Sequence, residues 1–256
     1  MNRFILNRMS TKFTEEKWFA TWFDSVYYHT LYSNRDEKEA QVFIEKLFFV
    51  IKTPNHSRIL DLACGKGRHS FTIANLGMDV LGIDLSPSSI QEASKSEYAS
   101  LQFVEGDMRM LQFNQEFDVV VNLFTSFGYF ENLSDNEKVL DGVKRSLKNG
   151  GLFVLDFFNG VKVEKDLVKN ESLIRGGVRF DISRKVENGR VIKDIRFDDK
   201  GKSHHFQEKV QLIYPQEFMS MLENSGFEII HTFGTYQLDA FEKATSDRFI
   251  TISRVK

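Results

Sequence analysis

One cysteine, three prolines and almost no net charge are what this 256-residue chain has little of. Cys64 alone cannot close an internal disulfide, so the core holds without covalent staples, and a reducing, cytoplasmic setting is the expectation. Lys and Arg number 34 against 36 Asp and Glu, a formal charge of −2. That balance leaves no footprint for a phosphate backbone or an anionic membrane, although a local basic patch can hide in an average. No apolar run reaches the roughly 20 residues that a membrane span needs. The Phe4–Leu6 run is cut by Asn7 and Arg8, too early for a signal peptide. No His/Cys cluster has metal-ligand spacing, so no zinc or iron site is expected. Phenylalanine is what the chain has in excess, with 25 copies in a composition that is 41% hydrophobic. Most of these rings should be core, with some left to line a pocket.

Hydrophobic spacing reads residues 13–50 as helical, and Thr53-Pro54-Asn55 ends that stretch. Alternating units follow. Short apolar strands are read at Arg58–Leu62, Met78–Ile83, Leu101–Val104, Phe117–Val121 and Leu152–Phe157. Helices are read at Gly67–Leu76, at Pro87–Ser96 behind an N-cap Ser86, and at Ser134–Leu147, ended by Asn149-Gly150-Gly151. Such alternation predicts βαβ units, and strands this continuously apolar predict a mostly parallel sheet covered on both faces. After about residue 175 the pattern changes. Val178–Val186, Arg190–Phe197 and Ser203–Tyr214 alternate, with turn signals at Glu187-Asn188-Gly189 and Asp198-Asp199-Lys200-Gly201. This predicts an antiparallel meander inserted into the α/β domain. A helix over 216–225 and strands at Phe227–Phe233 and Arg248–Arg254 close the chain. The expected division is a helical lid over 1–52, an α/β core over 53–160, an inserted β subdomain over 161–213, and the rest of the core over 214–256.

The chemistry concentrates in Asp61-Leu62-Ala63-Cys64-Gly65-Lys66-Gly67-Arg68, which follows the first strand and opens the first core helix. Two glycines allow a tight turn and close backbone approach to a ligand, and the helix N-terminus adds free N–H groups. Ser70 replaces the third glycine of a dinucleotide loop, and Asp61 in front of the loop is wrong for pyrophosphate. Both suit a zwitterion with an ammonium and a carboxylate. Asp84, at the end of the second strand and 19 residues after Gly65, is placed to take both hydroxyls of a ribose. Asp107 and Met108 follow the third strand, where a carboxylate can accept from an adenine amine while the thioether packs on the ring. Asn122 ends the fourth. All lie at carboxyl ends of parallel strands, where open α/β sheets bind ligands.

In order over residues 58–157, DLACGKGRH, GIDLS, GDMR, FDVVVNLF and LKNGGLFVLD resemble the class I S-adenosylmethionine-dependent methyltransferase family. The resemblance implies a Rossmann-like seven-stranded sheet with helices on both faces, a reversed last hairpin, and S-adenosyl-L-methionine as cofactor. It implies that Asp61, Ala63, Gly65, Gly67 and Arg68 form the methionine loop. By the same likeness Asp84 and Leu85 hold the ribose, Asp107 and Met108 the adenine, and Asn122 flanks the sulfonium. Tyr27–Arg35 resembles the lid helix of bacterial small-molecule methyltransferases, which brings Tyr28 and Arg35 toward the cofactor carboxylate. Tyr27, Tyr28 and Tyr32 fit equally an amphipathic helix packed on the core.

A small-molecule acceptor is the expected substrate, in a pocket built from the N-terminal helix, the Phe124–Phe130 loop and the inserted meander. No catalytic base is assigned. RNA or protein methylation is the alternative within the enzyme class, its sign being a basic stripe through Arg175, Arg179, Arg184 and Lys185. A cofactor-binding protein without catalysis is the alternative outside it. Cys64 reads as a small buried residue, His69 as a helix-face residue beside the loop, and His204 and His205 as neighbours on opposite strand faces. Deleting 176–210 is expected to spare cofactor binding and to abolish or broaden methyl transfer.

Overall fold

Runs of apolar residues between glycine and polar turns build the sheet of the computed structural model, which describes residues 18–33 and 37–256. Five strands run parallel: β1 (Arg58–Leu62), β2 (Asp79–Asp84), β3 (Leu101–Glu105), β4 (Phe117–Asn122) and β5 (Leu147–Phe158). Their spatial order is β3-β2-β1-β4-β5. The sheet continues with β11 (Arg248–Val255), antiparallel to β5, and β10 (Phe227–Phe233), antiparallel to β11. The expected seven strands and reversed hairpin are present. The direction of winding reverses between β1 and β4, which opens a crevice at the carboxyl ends of these strands.

Side-chain alternation explains why both faces are dry. Ile59, Val80, Val119 and Val121 pack one way, against Phe43, Ile44 and Leu47 of α3 (Glu37–Ile51) and Ile73 of α4 (Arg68–Asn75). Leu60, Leu62, Leu81, Ile83 and Val120 pack the other way. They meet Val139, Leu140 and Val143 of α6 (Leu133–Ser146) and Phe218 and Leu222 of α8 (Pro215–Asn224). The remaining core helix, α5 (Pro87–Ala93), starts where Ser86 accepts from the Ser89 N–H.

Three readings need correction. The helical stretch over 13–50 is broken within the described residues into α1 (Trp18–Phe23), α2 (Val26–Leu31) and α3, because Ser25 caps α2 by accepting from Tyr27 N. Asn149-Gly150-Gly151 does not end α6 but lies inside β5, where the register with β4 jumps from Phe117↔Leu147 to Val119↔Leu152 and Gly150 takes φ of 73°. The meander has four strands, not three. Beside β7 (Val178–Glu187), β8 (Arg190–Asp199) and β9 (Lys202–Gln211) runs β6 (Asn170–Arg175), reached through α7 (Gly160–Asp166). The edge strand β6 buries no residue fully, so its pattern lacks a strong apolar alternation.

The inner face of this second sheet, Phe180, Ile182, Ile195 and Phe197, packs on Trp22 and Leu31 of α1 and α2. The sheet therefore seats the two short helices rather than covering the crevice itself. None of the described helices is long and apolar enough to cross a membrane.

Candidate active site

Beyond β1 the backbone turns through three left-handed residues, Ala63 (φ 58°), Gly65 (φ 56°) and Gly67 (φ 80°). The two glycines do different work. A Cβ at Gly65 would meet nothing within 4 Å, so Gly65 opens onto free space. A Cβ on Gly67 would lie 2.5 Å from the Phe103 ring. Gly67 is buried, lines neither cavity of the crevice described below, and lets α4 close onto β3.

Asp84 organises this loop. One carboxylate oxygen accepts from Gly65 N and the other from Ser86 N, each at 2.8 Å. Burial raises its pKa against those bonds. Asp61 is 1% exposed and accepts from Ser70 Oγ at 2.5 Å, so the serine that replaces the third glycine has a use. Burial, and secondarily the Asp84 charge, push Asp61 up to about 7. Among the described residues no Lys, Arg or His forms a salt bridge with either carboxylate. Two buried carboxylates without a cation are costly. A ligand carrying an ammonium and a diol relieves that cost, so these residues fit S-adenosylmethionine. Cys64 is buried beneath them, and burial, with the two carboxylates, keeps its thiol neutral.

Two adjoining cavities open at the crevice, of about 330 Å³ and about 60 Å³. Phe23, Ala63, Asp84, Ser126 and Tyr129 line both. The larger also meets Gly65, Arg68, His69, Tyr28 and Tyr32; the smaller meets Leu85, Asp107 and Met108. Ala63, Gly65, Arg68, Asp84, Leu85, Asp107, Met108 and Tyr28 are thus brought to one crevice. Asp61 and Gly67 lie behind its wall. Asn122 is fully buried and lines neither cavity. Its Nδ2 donates to Leu62 O at 3.0 Å, tying β4 to β1, so it supports the floor and does not present its amide to the cavity. Arg35 falls outside the described residues. The Asp107 carboxylate already holds Arg109 through Nε at 2.9 Å and 3.0 Å and through Nη2, and Arg109 also reaches Asp135 at 3.2 Å. Any amine reaching Asp107 would share it with this guanidinium.

A buried network that the sequence reading did not single out shapes the wall after β4. Phe124 and Thr125 are consecutive left-handed residues without being glycine (φ 58° and 62°), a strain of about 1–2 kcal/mol each. Asp156 holds them: its carboxylate accepts from Phe124 N at 2.8 Å and its carbonyl from Thr125 N at 3.1 Å. Arg248 donates from Nε to Asp156 at 2.8 Å and from Nη2 to Thr125 Oγ1 at 2.9 Å, and Tyr236 donates to Asp156 at 3.2 Å. Burial and the Asp156 charge both push the Tyr236 hydroxyl up, so it stays protonated. The Phe124 ring stacks on His69 (4.8 Å) and Tyr236 (4.9 Å), with the Arg68 guanidinium 4.7 Å away. This fixes Ser126 and Tyr129 where both cavities meet. A lone carboxylate in the apolar run LFVLDFF was the signal available in the sequence.

Comparison with known proteins agrees with this geometry. Residues 54–226 match the family model described as a methyltransferase domain. A putative methyltransferase, YqeM, from Bacillus subtilis is 30% identical over 69% of this chain and 75% of its own length. A glycine/sarcosine N-methyltransferase from Parasynechococcus marenigrum is 28% identical over 80% of this chain and 73% of its own. The crystal structure of an S-adenosylmethionine-dependent methyltransferase from Clostridium acetobutylicum superposes with a TM-score of 0.77 at 20% identity, covering 90% of this chain and 96% of that one. Loop, crevice, strand order and relatives converge: this chain belongs to the class I S-adenosylmethionine-dependent methyltransferases.

Proposed function

We propose that the protein methylates a nitrogen of a small organic acceptor bound against α2 and the Phe124–Tyr129 wall, beside a donor held at Gly65 and Asp84. The carrying observation is the aromatic lining of the larger cavity. Phe23, Tyr28, Tyr32, Phe124 and Tyr129 line about 330 Å³, a scale suited to a modest molecule. The basic residues that a nucleic-acid surface would use are largely paired within the inserted sheet. Arg179 bonds Asp181, Arg184 bonds Glu171 and Lys185 bonds Glu187. The glycine/sarcosine relative is named for a small amine acceptor, which supports nitrogen as the acceptor atom.

When bound, S-adenosylmethionine supplies a methyl group already activated on a sulfonium. The chain's task is then to bind, align and dry the acceptor. In this reading Asp84 takes the ribose hydroxyls, and Asp61, behind the cavity wall, favours the ammonium through its charge and through the loop it supports. Leu85 and Met108 supply apolar contact for the base, and Ser126 and the tyrosine hydroxyls offer polar contacts to the acceptor. Among the described residues Asp84 is the one carboxylate in the larger cavity's lining, and it accepts from two backbone N–H groups. A neutral amine needs no base during attack, which matches this lining; its proton can leave to water afterwards.

The test is incubation with methyl-labelled S-adenosylmethionine and a cell extract split into fractions below and above about 3 kDa. Label in the small fraction, on nitrogen by mass spectrometry, is expected. Label confined to RNA or protein would overturn the proposal.

A further inference from the structure

The inner face of the second sheet is largely apolar, and one row on it carries a buried ion pair. Along β8, Lys193, Ile195 and Phe197 point the same way, and along β9 Glu208, Phe206 and His204 face them. Lys193 and Glu208 are direct cross-strand partners with side chains only 12% and 14% exposed. An ion pair buried in an apolar interface is weak support for stability, since apolar side chains of similar volume do as well or better. Its contacts point to another role. Glu208 accepts from the Tyr32 hydroxyl at 2.7 Å and from Trp22 Nε1 at 2.7 Å. Lys193 donates to the same Tyr32 oxygen at 2.5 Å and lies 4.6 Å from its ring centre. Tyr32 lines the larger cavity together with Gly65, Arg68 and Asp84. The preceding junction is tied as well: Asp24, between α1 and α2, accepts from Ser86 Oγ at 2.7 Å and Ser88 N at 3.0 Å, beside Asp84.

We propose that Lys193 and Glu208 are positioning residues for the methyl-donor site, acting through Tyr32. Neither side chain lines the cavity. They fix the hydroxyl and the ring of a residue that does, and so make the inserted sheet part of the donor site. The ring of Tyr32 packs against Tyr28 at 4.9 Å, so a loose Tyr32 also releases the neighbouring wall.

The inference rests on the larger cavity being the donor site. Calorimetric titration of the full chain with S-adenosylhomocysteine tests it. Tyr32→Phe and Glu208→Gln should each weaken binding by about 5–10-fold, the scale of one charge-assisted hydrogen bond. The double variant should lose less than the product of the two single losses, because the Tyr32–Glu208 bond is common to both. Ile252→Val, fully buried in β11 away from the cavity lining, should lower the melting point and leave the dissociation constant unchanged. Should Glu208→Gln fail to fold, Tyr32→Phe and Lys193→Met carry the test. Unchanged affinity in these variants, or losses that multiply in the double, would overturn the positioning role while leaving the donor site intact. A wild-type chain that ignores the ligand would overturn the donor site and this inference together.

Discussion

Replacing Asp61 with Asn should stabilise the ligand-free protein at pH 8 and cripple its cofactor binding. The Asp61 carboxyl is 1% exposed and titrates near 7, against an ordinary 3.8. A folded-state pKa above the unfolded one means that the folded form binds the proton more tightly. That contribution is fully present below pH 3.8 and is lost as pH rises through about 7. Three pH units amount to roughly 4 kcal/mol as an upper bound. Asn keeps an acceptor for Ser70 Oγ but brings an amide donor, whose burial costs about 1–3 kcal/mol if unpaired. A net gain of about 1–3 kcal/mol at pH 8 is left, which raises the melting point by several degrees, at about 2–4 °C per kcal/mol. At pH 4 the gain should vanish or reverse. Binding should move the opposite way, with Asp61→Asn losing roughly 10–100-fold in S-adenosylhomocysteine affinity as the ammonium loses a negative charge behind the cavity wall. Wild-type affinity should itself fall as pH drops below 7, since binding then displaces a proton. Thermal melts and calorimetry at pH 4 and pH 8 read both effects. An Asp61→Asn protein less stable than wild type at pH 8, or one that binds the ligand equally well, would refute the reasoning.

Asp84→Ala should weaken S-adenosylhomocysteine binding more than Asp107→Ala, because Asp84 both faces the ligand space and holds Gly65, whereas Asp107 is already engaged by Arg109; equal dissociation constants would count against this. Arg248→Met should lower the melting point by about 6–20 °C by stranding the buried Asp156, at about 3–5 kcal/mol for a broken buried pair. A shift of less than about 3 °C in a thermal melt would show that Asp156 takes up a proton without loss. Deleting 176–210 should cost cofactor affinity, contrary to the expectation from sequence, because Phe180, Ile182, Ile195 and Phe197 seat the helices that carry Tyr28 and Tyr32; calorimetry on the truncated chain decides between the two.

What the sequence made legible was whatever local periodicity encodes. The apolar runs at β1, β2 and β4 placed the strands to within a residue, since each is buried on both faces and bounded by a turn. The Asp61–Arg68 loop and Asp84 stood out because few purposes require two glycines flanked by acids. What stayed hidden depends on distant partners. Nothing near Gly67 in sequence announces Phe103, whose ring makes that glycine a packing residue. Asp156 and Arg248 meet only because β11 lies beside β5, 92 residues apart in sequence. Tyr32 and Glu208 lie 176 residues apart, so a lid tyrosine and a meander glutamate could not be read as one unit. The edge strand β6 was missed for a local reason, having no fully buried position to mark it.

The central claim is that the Gly65–Asp84 crevice is built for S-adenosylmethionine and not for a dinucleotide. Calorimetric titration of the purified wild-type chain with S-adenosylmethionine, S-adenosylhomocysteine and NAD measures this directly. The account predicts saturable one-to-one binding of both sulfur compounds, strongly reduced by Asp84→Ala, and no heat from NAD. Tight NAD binding with no response to either sulfur compound would contradict it.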